Sequence, residues 1–328
     1  MKKHLTLVLS FLFLLTACAN NYIPEAKVTF KVVDMHGNPI SNEDAALGFS
    51  PTIGFHGKTD EHGYFTGRGR TESDYVFSVA HESNKYYRTH FSKQIANWKD
   101  YPKDGKWKPW NETIEVVVKE KINPIPMYAI NFSNFKSNIP DLDRWIGYDL
   151  EKNDWISPYG NGVVADVEYC LSLTYCQKQY IQQSLKVRFP YDDAGCYFMK
   201  KDTNCAISST YHANVNRSYQ REVTFTKTHL LTSAQVQFSP KDSFMLKKDD
   251  YLIFRTRTKV DENGNLIEAR YGKIYGPIEF NFVLNPIGEI MQKSIQMSYH
   301  FNPNVNDTNL ECNGTSLIKV KGVRRVAP

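Results

Sequence analysis

Apolar and polar residues alternate with a period of two over many short segments of the chain. The segment 27–32 places Val28, Phe30 and Val32 on one face and polar residues on the other, which is typical of a half-buried strand. Comparable runs follow at 75–80, 114–118, 128–132, 163–173, 185–189, 251–260, 266–275 and 278–284. Gly, Pro, Asn and Asp separate the runs, and long apolar helical stripes are absent. The pattern predicts an all-β protein.

Two dense turn signals lie between the first strand-like runs, at 34–40 and 59–65. Short strands separated by such turns are typical of a sandwich, so we predict a β-sandwich domain over 26–120. Pro124 and Pro126 then fix the backbone in an extended boundary. Beyond it, Asn263-Gly264 between two strand-like runs indicates a hairpin. We predict a larger antiparallel β-sandwich domain over 121–328.

The turns of the first domain carry a family resemblance. They are similar to the D-x-x-G-x-P-[IV] and T-D-x-x-G-x-[FY] motifs of the carboxypeptidase regulatory-like, or transthyretin-like, β-sandwich. The matching residues are Asp34, Gly37, Pro39 and Ile40, followed by Thr59, Asp60, Gly63 and, one place late, Phe65. The resemblance covers less than a third of the chain. It implies a transthyretin-like or immunoglobulin-like sandwich that serves as a non-catalytic spacer or binding scaffold.

The N-terminus has the features of an export signal. Lys2 and Lys3 precede a mostly apolar stretch at 5–15, which is too short for a transmembrane helix. Leu15-Thr16-Ala17-Cys18 follows and resembles the bacterial lipobox. The resemblance implies a signal peptide over 1–17, a lipidated Cys18 and a tether over 18–25. An ordinary secretory signal with a chance cysteine is the alternative.

Lipidation of Cys18 predicts an envelope protein held at a membrane surface, because more than one acyl chain gives stable anchoring. Ala19 follows the cysteine. In bacteria with two membranes, an aspartate at that position usually signals retention in the inner membrane, so its absence favours the outer membrane.

The charge balance argues against a nucleic-acid partner. The formal net charge of +5 falls to +3 once Lys2 and Lys3 are removed, and nucleic-acid binding usually needs a clustered basic face. The sequence has no G-x-S-x-G, no H-E-x-x-H and no phosphate-binding glycine loop. We therefore predict no cofactor and no metal site.

Five cysteines remain once Cys18 is lipidated, and an oxidising envelope favours their pairing. The local pairing predicts the disulfides Cys196–Cys205 and Cys170–Cys176 and leaves Cys312 unpaired. A bond from Cys312 to Cys170 or Cys176 is the alternative. The spacings do not match those of zinc ligands.

Two segments combine aromatic and charged residues and are candidate ligand sites. In 93–110, Trp98, Trp107 and Trp110 are interleaved with lysines and could stack on sugar rings. In 139–160, a group of carboxylates surrounds Trp145 and Trp155; it comprises Asp141, Asp143, Asp149, Glu151 and Asp154. For both segments, a loop whose tryptophans anchor it to the core is the interpretation that we favour.

The sequence thus predicts a non-enzymatic envelope lipoprotein with a binding or structural role. A glycan or an envelope protein is the expected partner. The alternative is a glycan-active hydrolase that uses carboxylates of 139–160 for acid–base catalysis.

Overall fold

The computed structural model describes residues 23–72, 74–95, 102, 104–135, 138–176, 180–231, 236–247, 249–284, 290–319 and 326. The predicted signal peptide, Cys18 and Trp98 lie outside them. The chain forms two compact units, Met1–Glu120 and Lys121–Pro328. Nearly all regular structure is β, as predicted. Among the described residues, no helix is long and apolar enough to cross a membrane.

In the described part of the first unit there are seven strands in two sheets. They are β1 (Glu25–Val33), β2 (Asp44–Ser50), β3 (Ile53–Lys58), β4 (Tyr64–Arg70), β5 (Asp74–Val79), β6 (Thr89–Gln94) and β7 (Glu112–Val117). One sheet has the order β4-β1-β7 and the other β3-β2-β5-β6. All described pairs in this unit are antiparallel except β1 with β7. The hydrophobic pattern alone does not indicate β2, β3 or β6.

The core of this unit lies between its two sheets. Val28, Phe30 and Val32 are buried, as the alternation in 27–32 predicts. The ring of Phe30 stacks on Phe77 of the facing sheet, with 4.0 Å between ring centroids. Aromatic pairs of this kind add to the free energy gained by burying the rings themselves. The unit is therefore a β-sandwich.

The two predicted turns share one design. The Asp34 carboxylate accepts hydrogen bonds from the backbone N–H of His36 at 2.8 Å and of Asn38 at 2.9 Å. The Asp60 carboxylate accepts corresponding bonds from residues 62 and 64 at 3.0 Å and 2.7 Å. Gly63 has a φ of +78°, and a Cβ there would lie 2.6 Å from the Val32 carbonyl oxygen. Only glycine fits this position without strain.

The described residues of the second unit form twelve strands. They are β8 (Ile125–Ile130), β9 (Ile146–Asp149), β10 (Asp154–Trp155), β11 (Val167–Cys176), β12 (Tyr180–Arg188), β13 (Gly195–Lys200), β14 (Glu222–Leu231), β15 (Val236–Phe244), β16 (Asp250–Val260), β17 (Leu266–Leu284), β18 (Ile290–Phe301) and β19 (Cys312–Ser316). The sheets have the orders β10-β9-β11-β12-β14-β15 and β13-β16-β17-β18-β8-β19. The strand pairs described in this unit are antiparallel apart from β8 with β19.

Apolar side chains from both sheets pack together in a core cluster of this unit. Leu171, Leu185 and Phe225 come from the first sheet, while Phe254 and Phe280 come from the second. The unit is thus a second, larger β-sandwich. Between β16 and β17, the Asp261 carboxylate accepts bonds from the backbone N–H of residues 263 and 265, which repeats the turn design of the first unit.

Two details differ from the predicted strands. The run 163–173 becomes a strand only from Val167. Val163 is exposed, and its backbone N–H donates to the Asp149 carboxylate. The runs 266–275 and 278–284 form one strand, β17. Its pairing with β18 is irregular between Tyr275 and Glu279, next to Gly276 with a φ of +72°.

The close packing of the first sandwich predicts a strong effect of one added methyl group. A Cβ at Gly69 would lie 2.4 Å from a ring carbon of Phe49, whereas a Cβ at Gly48 meets nothing within 4 Å. We expect Gly69→Ala to lower the free energy of unfolding by about 1–3 kcal/mol through overpacking. Gly48→Ala, the matched control, should change it by less than about 0.5 kcal/mol. Denaturant unfolding of both variants measures this difference, and equal stabilities would contradict the packing.

Candidate functional site

The described tryptophans divide into buried anchors and partly exposed rings. Trp107 is buried, and its Nε1 donates to the Thr71 carbonyl at 2.9 Å. Trp155 is buried against Tyr148 and Tyr169. The ligand role considered for these two side chains is therefore wrong, because the core already surrounds them. Trp145 and Trp110 remain partly exposed.

Cations lie over both exposed rings. The Arg188 guanidinium carbon is 4.1 Å from the ring centroid of Trp145. Arg68 and the Lys106 ammonium approach the Trp110 ring at 5.6 Å and 5.3 Å. At these distances the contacts are cation–π interactions.

The carboxylates of the acidic segment 139–160 mostly hold the loop together. Asp149 accepts backbone N–H bonds from Glu151, Lys152, Val163 and Val164 at 2.9–3.2 Å. Asp154 is buried and accepts bonds from the backbone of Trp155 at 2.7 Å and of Asn161 at 3.1 Å. Both carboxylates stabilise backbone groups that have no partner in a sheet.

The remaining carboxylates of this segment are dispersed. Asp141 accepts bonds from its neighbour Leu142 and from Arg144, and these bonds lower the pKa of its carboxyl. Asp143 is exposed. A lowered pKa is the opposite of what a general acid of a glycosidase requires.

A buried ion cluster lies beside this loop, centred on Arg257. The Arg257 guanidinium donates to both carboxylate oxygens of Asp166, at 2.6 Å and 3.0 Å, and to Glu151 at 2.6 Å. Arg270 pairs with the same Glu151 oxygen. Because a charged group that loses its partner in the interior is costly, this cluster locks β16, β17 and the adjoining loops together.

Arg257 has a φ of +50° and lies in a stretch of β16 where the pairing with β17 is irregular. A non-glycine residue in this region costs about 1–3 kcal/mol and persists only where its surroundings hold it. The bidentate bond to Asp166 supplies that restraint. Asp166 is fully buried, and burial raises the pKa of its carboxyl to about 6.

The raised pKa predicts a pH-dependent loss of stability in an Arg257→Met variant. The variant leaves the Asp166 carboxylate unpaired, which should cost about 3–5 kcal/mol near neutral pH. The folded-state pKa lies above the roughly 3.9 of an unfolded aspartate, so the folded state binds this proton more tightly. Arg257 itself lowers this pKa, so in the variant the carboxyl takes up its proton above pH 6. The loss should therefore be largest at alkaline pH and shrink as the pH falls toward 6.

Unfolding of this variant at several pH values gives the test. The control is Arg144→Met, which removes an exposed partner of Asp141 and should change stability by less than about 1 kcal/mol at every pH. A pH-independent loss in Arg257→Met would contradict the role of Asp166.

The predicted disulfides do not form. Cys170 and Cys176 both belong to β11, which runs straight through them, so the six-residue separation places them about 20 Å apart. Cys196 lies in the core of the second sandwich, and β13 carries the chain away along β16 before it turns toward Cys205. The structure contains no bond between Cys196 and Cys205. Lys200, the first residue of the polar run between the two cysteines, still pairs with Asp250 of β16.

Three buried thiols therefore serve as a chemical test of the fold. Cys170, Cys196 and Cys312 are buried and free, and burial raises the pKa of Cys196 to about 12. We expect a thiol alkylating agent to leave all three unmodified in the folded protein and to modify all three in denaturant without any reductant. Peptide mass mapping measures this. Modification that needs prior reduction would show that a disulfide is present.

The first unit carries a shallow groove. It lies on the outer face of the sheet β3-β2-β5-β6, and we call it the sheet groove. Strand register aligns His56, Ala46, Ser78 and His90 in one row across the four strands. With strands about 4.8 Å apart, the row spans about 14 Å. Small side chains on the two central strands form the floor.

The sheet groove comprises two adjoining depressions of about 590 Å³ and 470 Å³ that share Ala46, His56 and Ser78. Polar side chains surround the floor: Asp44, His56, Lys58, His81 and Glu82 at one end, and Ser50 and Thr52 at the other. The lining thus offers hydrogen-bond donors and acceptors above a shallow, small-residue floor. A volume of this size is in the range of ligand pockets.

Sequence reasoning missed this groove, because its residues are distant along the chain and individually ordinary. The one available signal is the segment 44–50, where Ala46 and Gly48 occupy every second position opposite Leu47 and Phe49. Among the described residues, no group of three or more potential ligands could hold a metal ion.

No protein-family model matches the sequence, and no curated protein does. Solved structures give weak similarities. The shaft pilin SpaA from Lactobacillus rhamnosus GG aligns at 10% identity with a TM-score of 0.21, over 78% of this chain and 91% of that chain. BcpA, the major pilin subunit of Bacillus cereus, aligns at 10% identity with a TM-score of 0.22, over 88% and 99%. Similarities this weak add nothing to the description of the fold given above.

Proposed function

We propose that the chain is a lipid-anchored protein of the bacterial cell envelope that binds a glycan in the sheet groove and has no catalytic role. The lipobox at Leu15–Cys18 supports the anchor, and Ala19 supports an outer-membrane location where the host has two membranes. The groove supports the binding role. Its mixed lining of imidazoles, hydroxyls and carboxylates matches the alternating donors and acceptors of a sugar.

The engagement of Asp149 and Asp154 with backbone N–H groups favours binding over hydrolysis. A glycosidase needs one carboxyl that retains its proton and a second that is available as base or nucleophile. In the segment 139–160, two of the carboxylates shape the loop and Glu151 pairs with two arginines. The anchoring and the scaffold fold suit a protein that holds a ligand near a membrane.

Filling the groove tests the binding site. Ser78→Trp places a large side chain on the floor and should abolish glycan binding measured on an array. The control is Thr66→Trp, an exposed position on the other sheet, which should bind as the unaltered protein does. Equal binding by the two variants would refute the groove as the binding site. Absence of any glycan binding by the unaltered protein would refute the proposal that its ligand is a glycan.

The anchor has its own test. Cys18→Ser should abolish incorporation of a fatty-acid probe and leave an uncleaved or soluble product. Equal labelling of the variant and the unaltered protein would refute the lipid anchor.

A further inference from the structure

A cluster of basic side chains surrounds Trp110 on the outer face of the sheet β4-β1-β7. Strand register pairs Lys27 with Arg68, and Glu25 with Arg70, so both arginines lie at the start of β1. The backbone of Lys106 forms an isolated parallel β-bridge with Glu25. The side chains of Arg68 and Lys106 both approach the Trp110 ring. We call Lys27, Arg68, Arg70, Lys106 and Trp110 the anchor-side patch.

The backbone holds this patch in place. The Glu25 N–H donates to the Gly105 carbonyl at 3.0 Å, and the Trp107 N–H donates to the Glu25 carbonyl at 2.8 Å. The buried Trp107 ring then fixes the segment that carries Lys106 and Trp110 beside β1. The patch is thus a built surface of a folded unit.

The charge of this surface is positive on balance. Lys27, Arg68, Arg70, Lys106 and the adjoining Lys108 supply five positive charges. Glu25, Glu72 and Asp104 supply three negative charges, and two of them pair with Arg68 and Lys108. Arg70 and Lys106 are exposed, and so is much of Arg68, whose side chain is 57% accessible.

The chain itself places the patch near a membrane if Cys18 is lipidated. Glu25, the first residue of β1, lies seven positions after Cys18, and a fully extended chain of that length spans about 25 Å at most. The start of β1 therefore stays within that distance of the lipidated residue. Basic side chains near a bilayer are attracted to anionic headgroups, and tryptophan favours the interface between lipid and water.

From this placement we infer that the anchor-side patch binds anionic phospholipid headgroups of the membrane into which the acyl chains of Cys18 insert. The inference rests on the proposed anchor for its biological setting. The contact itself requires only the folded first unit. It would orient the protein so that the patch faces the bilayer, and the acyl chains raise the local concentration of the patch at the lipid surface.

The test uses the full mature-length chain from Ala19 onward, without a lipid, and vesicles of phosphatidylcholine alone or mixed with phosphatidylglycerol. We expect cosedimentation with the mixed vesicles only. Arg70→Gln combined with Lys106→Gln should weaken this binding by about thirtyfold, from two lost cation–headgroup attractions. Trp110→Phe should remove the blue shift of tryptophan fluorescence that mixed vesicles cause.

The control is Lys85→Gln combined with Lys259→Gln, which removes the same charge from two exposed lysines outside the patch and should bind as the unaltered chain does. Equal losses in both double variants, or equal binding to both vesicle types, would overturn the inference. A soluble anionic polysaccharide that binds the patch more tightly than the vesicles would overturn it as well. The chain in this test carries no acyl group. Absence of vesicle binding would therefore refute the inference about the patch, and the fatty-acid labelling of Cys18 would still test the anchor.

Discussion

Burial of every second side chain between two facing sheets is the constraint on which both units depend. A strand exposes alternate residues to opposite sides, so one face can become core while the other stays polar. Phe30 against Phe77 shows this in the first sandwich, and Leu171 with Phe254 shows it in the second. The central strands bury alternate side chains along most of their length, and the loops begin where this alternation ends.

Carboxylates in the loops satisfy backbone groups that the sheets leave unpaired. Three turn aspartates each accept hydrogen bonds from the backbone N–H groups two and four residues further on: Asp34, Asp60 and Asp261. Asp149 accepts backbone N–H bonds from two separate loop segments, 151–152 and 163–164. An aspartate that bonds its own backbone two residues on favours the turn conformation, which explains why acidic residues are placed there. The acidic residues of these loops therefore stabilise the loop backbone.

The two surfaces of the first unit proposed to bind other molecules lie on opposite sheets. The anchor-side patch is on the outer face of β4-β1-β7, and the sheet groove is on the outer face of β3-β2-β5-β6. A unit whose patch contacts the bilayer would therefore present its groove away from it. This arrangement suits a protein that holds a glycan above the membrane surface.

The sequence by itself determined the all-β class, the alternating core faces and the Asp-Gly turns, because these depend on neighbours within a few residues. Tertiary structure alone decided the rest. Cys170 and Cys176 are separated because β11 continues between them. Trp107 is a core anchor whose Nε1–H donates a hydrogen bond to the Thr71 carbonyl oxygen. The groove exists only once register aligns Ala46 with His56 and Ser78. Contacts between residues distant along the chain are set by strand pairing, and local sequence patterns do not specify which strands pair.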